Sequence, residues 1–133
     1  MNEHIKKQAE DFCRETGTSV DIVFAGNKVN DLWGDGRSRN SYDVTIKTQL
    51  GEMELTFWDS IHNTTKGNIP TTYDILSCII KHDPGTFQEF ISGYGYDPDD
   101  ERTEEIYKAV VREWEDIERI FTEEQIEMLR EIV

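Results

Sequence analysis

A chain of 133 residues with 28 Asp and Glu against 14 Lys and Arg carries a formal charge of −14 at pH 7. That balance excludes ordinary binding to DNA, RNA or an anionic membrane, which needs clustered Lys and Arg to meet phosphates, and the sequence holds no such cluster. The length suits one domain, 1–133, around one core, and an aromatic content of 11% argues against disorder despite the charge.

Taken in order, Asn2 to Thr16 reads as an amphipathic helix. Ile5, Ala9, Phe12 and Cys13 share a face, and Gly17 is suited to end it. The segment from Met1 to Lys7 lacks the apolar run of a signal peptide, and no stretch reaches membrane-span length, so a cytoplasmic location is expected. Three alternating segments follow. Val20, Ile22 and Phe24, then Tyr42, Val44 and Ile46, then Met53, Leu55 and Phe57 each interleave with mostly polar residues, the period of strands with one wet face. Leu50-Gly51-Glu52 predicts a tight connection between the second and third strands. Ala25 to Ser41 reads as a long loop of turn-type residues with Trp33 in its middle, beside Arg37 and Arg39. Trp33 is either a contact tip or a lid folded onto the sheet.

A second connector, Asp59 to Thr71, leads to a helix opened by Thr71-Thr72, supported by Asp74 and buried through Tyr73, Leu76, Ile79 and Ile80. Asp83-Pro84-Gly85 breaks it. Thr86-Phe87-Gln88-Glu89 is a capping box, and Gly93 is placed to end the short helix that it starts. Asp99 or Asp100 caps a long helix whose apolar stripe is Ile106, Val110, Trp114, Ile117 and Phe121. Thr122-Glu123-Glu124-Gln125 is a further capping box, opening a last helix through Ile126, Leu129 and Ile132. Strands and helices are segregated, which is the α+β class: an N-terminal helix, a three-stranded antiparallel sheet, then a C-terminal run of about four helices.

Chemistry is less plainly written. Cys13 and Cys78 lie in helical apolar patterns and read as reduced, buried thiols, with a disulfide as the alternative that spacing cannot place. An EF-hand counted from Asp97 fails at positions six and twelve, which are Arg102 and Lys108. His4, His62 and His82 form no metal-site spacing. His62 lies near Asp59 and Ser60, the one arrangement in which a proton-transfer site can be imagined. No phosphate-binding glycine loop is present. The expectation is therefore a protein that is not an enzyme, with no catalytic, cofactor-binding or metal-ligating residues and no cofactor. The opening order of helix and three strands matches a double-stranded RNA-binding module, but the helix start that should be basic reads Thr71-Thr72-Tyr73-Asp74.

The remaining signal is charge. From Asp97 to Val133 fourteen acidic residues face five basic ones, leaving −9 of the chain's −14. Carboxylates on a helix can follow the spacing of duplex phosphates and occupy a groove lined by Arg and Lys, so Asp99, Asp100, Glu104, Glu105, Glu115, Asp116 and Glu118 are the candidate partner-binding residues, with Trp33 as an aromatic anchor. The plainer alternative is a solvated face, locally neutralised by Arg102, Lys108, Arg112 and Arg119.

The motifs Pro70-Thr71-Thr72-Tyr73-Asp74-Ile75-Leu76, Lys81-His82-Asp83-Pro84-Gly85-Thr86-Phe87, Phe90, Gly95-Tyr96-Asp97 and Ile106-Tyr107-Lys108-Ala109-Val110 resemble small acidic proteins of unknown function encoded by bacteriophages and prophages. The likeness runs from about Pro70 to the C-terminus and is vaguer before it. It implies a protein acting in a host bacterial cell, of the kind that disarms host defence, anti-CRISPR and anti-restriction proteins among them. The expected partner is a basic host protein of the nuclease or CRISPR effector class, bound by nucleic-acid mimicry, without direct contact to nucleic acid or membrane. The alternative expectation is an adaptor of phage replication or assembly, acting through an apolar patch or as a homodimer through the last helix.

Overall fold

The computed structural model describes residues 3–29, 38–58 and 70–132. The elements run α1 (Glu3–Thr16), β1 (Ser19–Val29), β2 (Ser38–Thr48), β3 (Gly51–Trp58), α2 (Thr72–Ile80), α3 (Phe87–Tyr94), α4 (Glu101–Ile120) and α5 (Glu123–Ile132). This is the expected α+β order. The strands form one antiparallel sheet, β1-β2-β3, with β2 in the middle.

Alternation decides which face is buried. Val20, Ile22 and Phe24 stand opposite Ile46, Val44 and Tyr42, which in turn stand opposite Met53, Leu55 and Phe57. These side chains point to one face, and the helices close over it. Ala9 and Phe12 of α1, Ile75, Leu76, Ile79 and Ile80 of α2, Ile117 and Ile120 of α4, and Ile126 and Leu129 of α5 complete a single cluster with the sheet. The opposite face carries Asp21, Asp43, Thr45, Glu52 and Glu54 and stays wet, as an antiparallel sheet allows. The apolar side of α5, Ile126 and Leu129, is buried inside the chain.

Helix starts obey local chemistry. At α2 and α3 the Thr71 and Thr86 hydroxyls accept from the N–H groups of Asp74 and Glu89, whose carboxylates accept the N–H groups of Thr71 and Thr86. Thr122 and Gln125 make the same exchange before α5, at 3.1 and 2.9 Å. Asp100, rather than Asp99, caps α4 by accepting from the Arg102 N–H at 2.9 Å. α3 runs past Gly93 to Tyr94. The glycine that ends it is Gly95, at φ 71°, a left-handed conformation that costs glycine no Cβ clash.

The stretch expected as a long loop after the first strand is strand at both of its described ends. β1 continues to Val29 and β2 begins at Ser38, paired through Gly26–Ser41, Asn27–Asn40, Lys28–Arg39 and Val29–Ser38. The polar, turn-type composition hides this because Asn27, Lys28, Arg39 and Asn40 are paired through their backbones and carry no apolar alternation. A bulge between Phe24 and Gly26 leaves Ala25 unopposed and shifts the facing by one residue. Trp33, Arg37 and most of the Asp59 to Thr71 connector, His62 included, lie outside the described residues.

The far end of α4 is tied to the β2–β3 turn. The Thr48 hydroxyl donates to the Ile120 carbonyl at 2.6 Å, and Arg119 Nη2 donates to the Glu52 carbonyl at 3.2 Å. Among the described residues no helix is long and apolar enough to cross a membrane.

Candidate functional site

The seven carboxylates singled out by charge fall into two groups along α4. Asp99, Asp100, Glu104 and Glu105 lie at its start; Glu115, Asp116 and Glu118 lie in its last two turns. Glu115 follows Glu104 by eleven positions, about 16 Å at 1.5 Å per residue. Between them sit cations. Glu104, Lys108, Arg112, Glu115 and Arg119 follow one another at spacings of four and three, so they share one side of the helix. Lys108 Nζ meets Glu104 Oε1 at 3.0 Å, and Arg119 Nη2 meets Asp116 Oδ1 at 3.1 Å. Exposed pairs of this type contribute only about 0.5 kcal/mol each, but the cations break the negative charge of this helix face into separate patches.

Negative charge is densest in the turn before α4. Asp97, Asp99 and Asp100 are three carboxylates in four residues, all exposed. Asp97 Oδ1 accepts the Asp99 N–H at 2.9 Å, and Asp100 is the cap described above. Each spends one oxygen holding the turn, and a carboxylate has about four lone-pair sites, so both retain acceptor capacity.

This acidic turn is joined to an aromatic ladder. Tyr94 and Tyr96 stack at 6.0 Å between centroids, and both rest on the buried Phe90, at 5.0 and 5.6 Å. Phe90 also meets Tyr107 at 5.3 Å, and Tyr107 meets Phe87 edge-on at 5.2 Å. The Tyr107 hydroxyl donates to the Gly85 carbonyl at 3.0 Å. The ladder exists because α3 is short and stops at Gly95, which returns the chain so that Tyr96 lies beside Tyr94. Tyr94 keeps half of its surface in water. Burial, and then the neighbouring Tyr94, push the Tyr96 phenol above its usual range, with Arg102 opposing; Tyr96 is thus a neutral hydrogen-bonding group at neutral pH.

Sequence reading placed the aromatic anchor at Trp33, outside the described residues, and overlooked Tyr94 and Tyr96. The signal available was Gly93-Tyr94-Gly95-Tyr96-Asp97 itself: two large aromatics among glycines, directly before an acidic run.

Elsewhere the polar groups are structural. Arg130 pairs with Asp83 at 3.0 Å and with Glu127, and its guanidinium lies 5.9 Å from the centre of the Trp114 ring, tying α5 to the end of α2 and to α4. His82 Nδ1 lies 3.6 Å from Glu113 Oε1. Cys13 and Cys78 are free thiols, each pushed up to about 11, chiefly by burial and then by Glu10 and Glu113 respectively; thiols so raised are poor nucleophiles. Among the described residues no group of three or more His, Cys, Asp and Glu side chains could hold a metal ion.

Comparison with protein-family models, with curated proteins and with solved structures gives no match to this chain.

Proposed function

We propose that this is a binding protein rather than an enzyme, and that it docks a basic protein surface through the Tyr94–Asp100 turn and the first turns of α4. The observation that carries the reading is the adjacency of a stacked tyrosine pair, Tyr94 exposed and Tyr96 half-buried, to three carboxylates within four residues. Tyrosines supply rigid contact area and cation–π faces for Lys and Arg. The carboxylates of Asp97, Asp99, Asp100, Glu104 and Glu105 supply steering and charge pairing. Glu115, Asp116 and Glu118 add a second, weaker contact further along α4. In its most specific form, suggested by the resemblance to phage proteins, the partner is a nucleic-acid-handling host defence protein of the nuclease or CRISPR effector class, blocked in an anti-CRISPR-like manner. Carboxylates then occupy a groove meant for phosphates, inside a bacterial cytoplasm.

The test is a cleavage assay. A bacterial RNA-guided nuclease is incubated with the full chain before labelled target DNA is added. The expected result is inhibition that weakens as salt rises and is lost in an Asp97→Lys/Asp99→Lys variant but largely kept in Glu115→Lys/Glu118→Lys. Uninhibited cleavage by representatives of the nuclease and CRISPR effector classes removes the specific form. Inhibition that the Asp97→Lys/Asp99→Lys variant retains in full removes the assigned surface.

A further inference from the structure

β1 is an edge strand. It pairs with β2 on one side, and among the described residues no strand pairs with its other side. The outer edge of this eleven-residue strand, without a strand partner among the described residues, is a template for another strand. The side chains point the same way: of the five exposed large hydrophobics among the described residues, three lie on this strand, Val23 at 61%, Phe24 at 56% and Val29 at 43%.

We propose that this edge is the contact between two copies of the chain, paired antiparallel about a two-fold axis between Phe24 and Ala25. The strand is its own complement in that arrangement. Phe24 meets Ala25 of the other copy, Val23 meets Gly26, Asp21 meets Lys28 and Val20 meets Val29, each pair made twice.

The facing of the residues makes these pairs workable, and the bulge makes the facing. Asp21 stands opposite Thr45 of β2, and Lys28 stands opposite Arg39. Thr45 and Arg39 are six residues apart on one alternating strand, so Asp21 and Lys28 lie on the same, solvent side of the sheet. Without the extra residue at Ala25, Lys28 would turn to the helix side and could not meet Asp21 across the axis. By the same count Val20, opposite Ile46, and Val29, opposite Ser38, share the helix side. Gly26 has nothing within 4 Å of where a Cβ would stand, which leaves room for Val23 of the second copy. Parallel pairing in register is disfavoured, because it sets Asp21 against Asp21 and Lys28 against Lys28. The product is a continuous six-stranded sheet, β3-β2-β1-β1-β2-β3, whose outermost strands are the two copies of β3. The α3–α4 turn takes no part in the pairing.

Sedimentation equilibrium of the full chain, from micromolar to millimolar, tests this. The expected wild-type species is a dimer. Asp21→Lys and Lys28→Asp each convert two attractive cross-strand pairs into two repulsive ones and weaken dimerisation by about thirtyfold. The double variant Asp21→Lys/Lys28→Asp restores it, and an equimolar mixture of the two single variants associates more tightly than either alone. Both positions are exposed, and circular dichroism checks that the variants fold. A wild-type chain that stays monomeric throughout overturns the proposal, including one that instead takes up an unrelated extended peptide. So does a dimer indifferent to both single reversals.

Discussion

Replacing Thr48 with valine removes one hydroxyl and leaves side-chain size and branching unchanged. That hydroxyl donates to the Ile120 carbonyl at 2.6 Å and accepts the Leu50 N–H at 3.1 Å. Ile120 is fully buried, and its carbonyl belongs to the last turn of α4, where no intrahelical donor remains. Leu50 is exposed and recovers water; the Ile120 carbonyl does not. A buried acceptor left unmade costs about 1–3 kcal/mol, so about 2 kcal/mol is expected here. Unfolding entropy near 60 °C is about 2.1 cal/mol/K per residue, or about 0.28 kcal/mol/K for this chain. The corresponding fall in Tm is about 7 °C, measured by calorimetry. Thr48→Ser keeps the donor and should fall by less than half as much. If Thr48→Val melts with the wild type, or no lower than Thr48→Ser, the tie between the β2–β3 turn and the end of α4 is not the stabilising contact described above.

Ile117→Ala opens a cavity at a fully buried position between α4 and the sheet and should lower stability by about 3 kcal/mol, read as a shift in urea midpoint; a loss of under half that would mean the site collapses around the gap. Thr86→Ala removes one half of the α3 capping box and should cost about 1 kcal/mol, seen as faster amide exchange in α3 while α5 is unchanged. The thiols of Cys13 and Cys78 are raised from 9.0 to about 11. The unfolded chain therefore loses these protons first, and the stability they contribute is complete below pH 9 and falls as pH rises towards 11. Denaturation across that window should show a shallower decline in Cys13→Ser/Cys78→Ser than in the wild type, and equal slopes would refute the assignment.

Legibility followed how local the determining interaction is. The Thr71, Thr86 and Thr122 helix starts were readable because each is settled within four residues. So was the buried stripe Ile106, Val110 and Ile117, because burial on a helix repeats every three or four positions. The inward set of each strand was readable from alternation. The outer halves of β1 and β2 were not, since Asn27, Lys28, Arg39 and Asn40 are paired by their backbones and say nothing apolar about it. Phe24 faces inward and is still half exposed, because the helices gather over β2 and β3. The charge of α4 was legible as a total but not as an arrangement: the same letters describe one negative band or the mixed-sign face of Glu104, Lys108, Arg112, Glu115 and Arg119. The tyrosine ladder depends on where α3 stops, and moving its end from Gly93 to Gly95 is what sets Tyr94 and Tyr96 side by side.

α4 has one end in each of two separate apolar clusters. Ile117 and Ile120 belong to the main core, whereas Ile106 and Val110 pack with Phe90 and Ile91 of α3. The smaller cluster is lined by aromatics and covered by a single two-turn helix, so it can open without disturbing the sheet. Amide hydrogens of α3 should exchange by such partial opening, and those of β2 only by complete unfolding. A partner that grips Tyr94 and Tyr96 would then slow exchange in α3 selectively, leaving a footprint at the weaker end of the molecule.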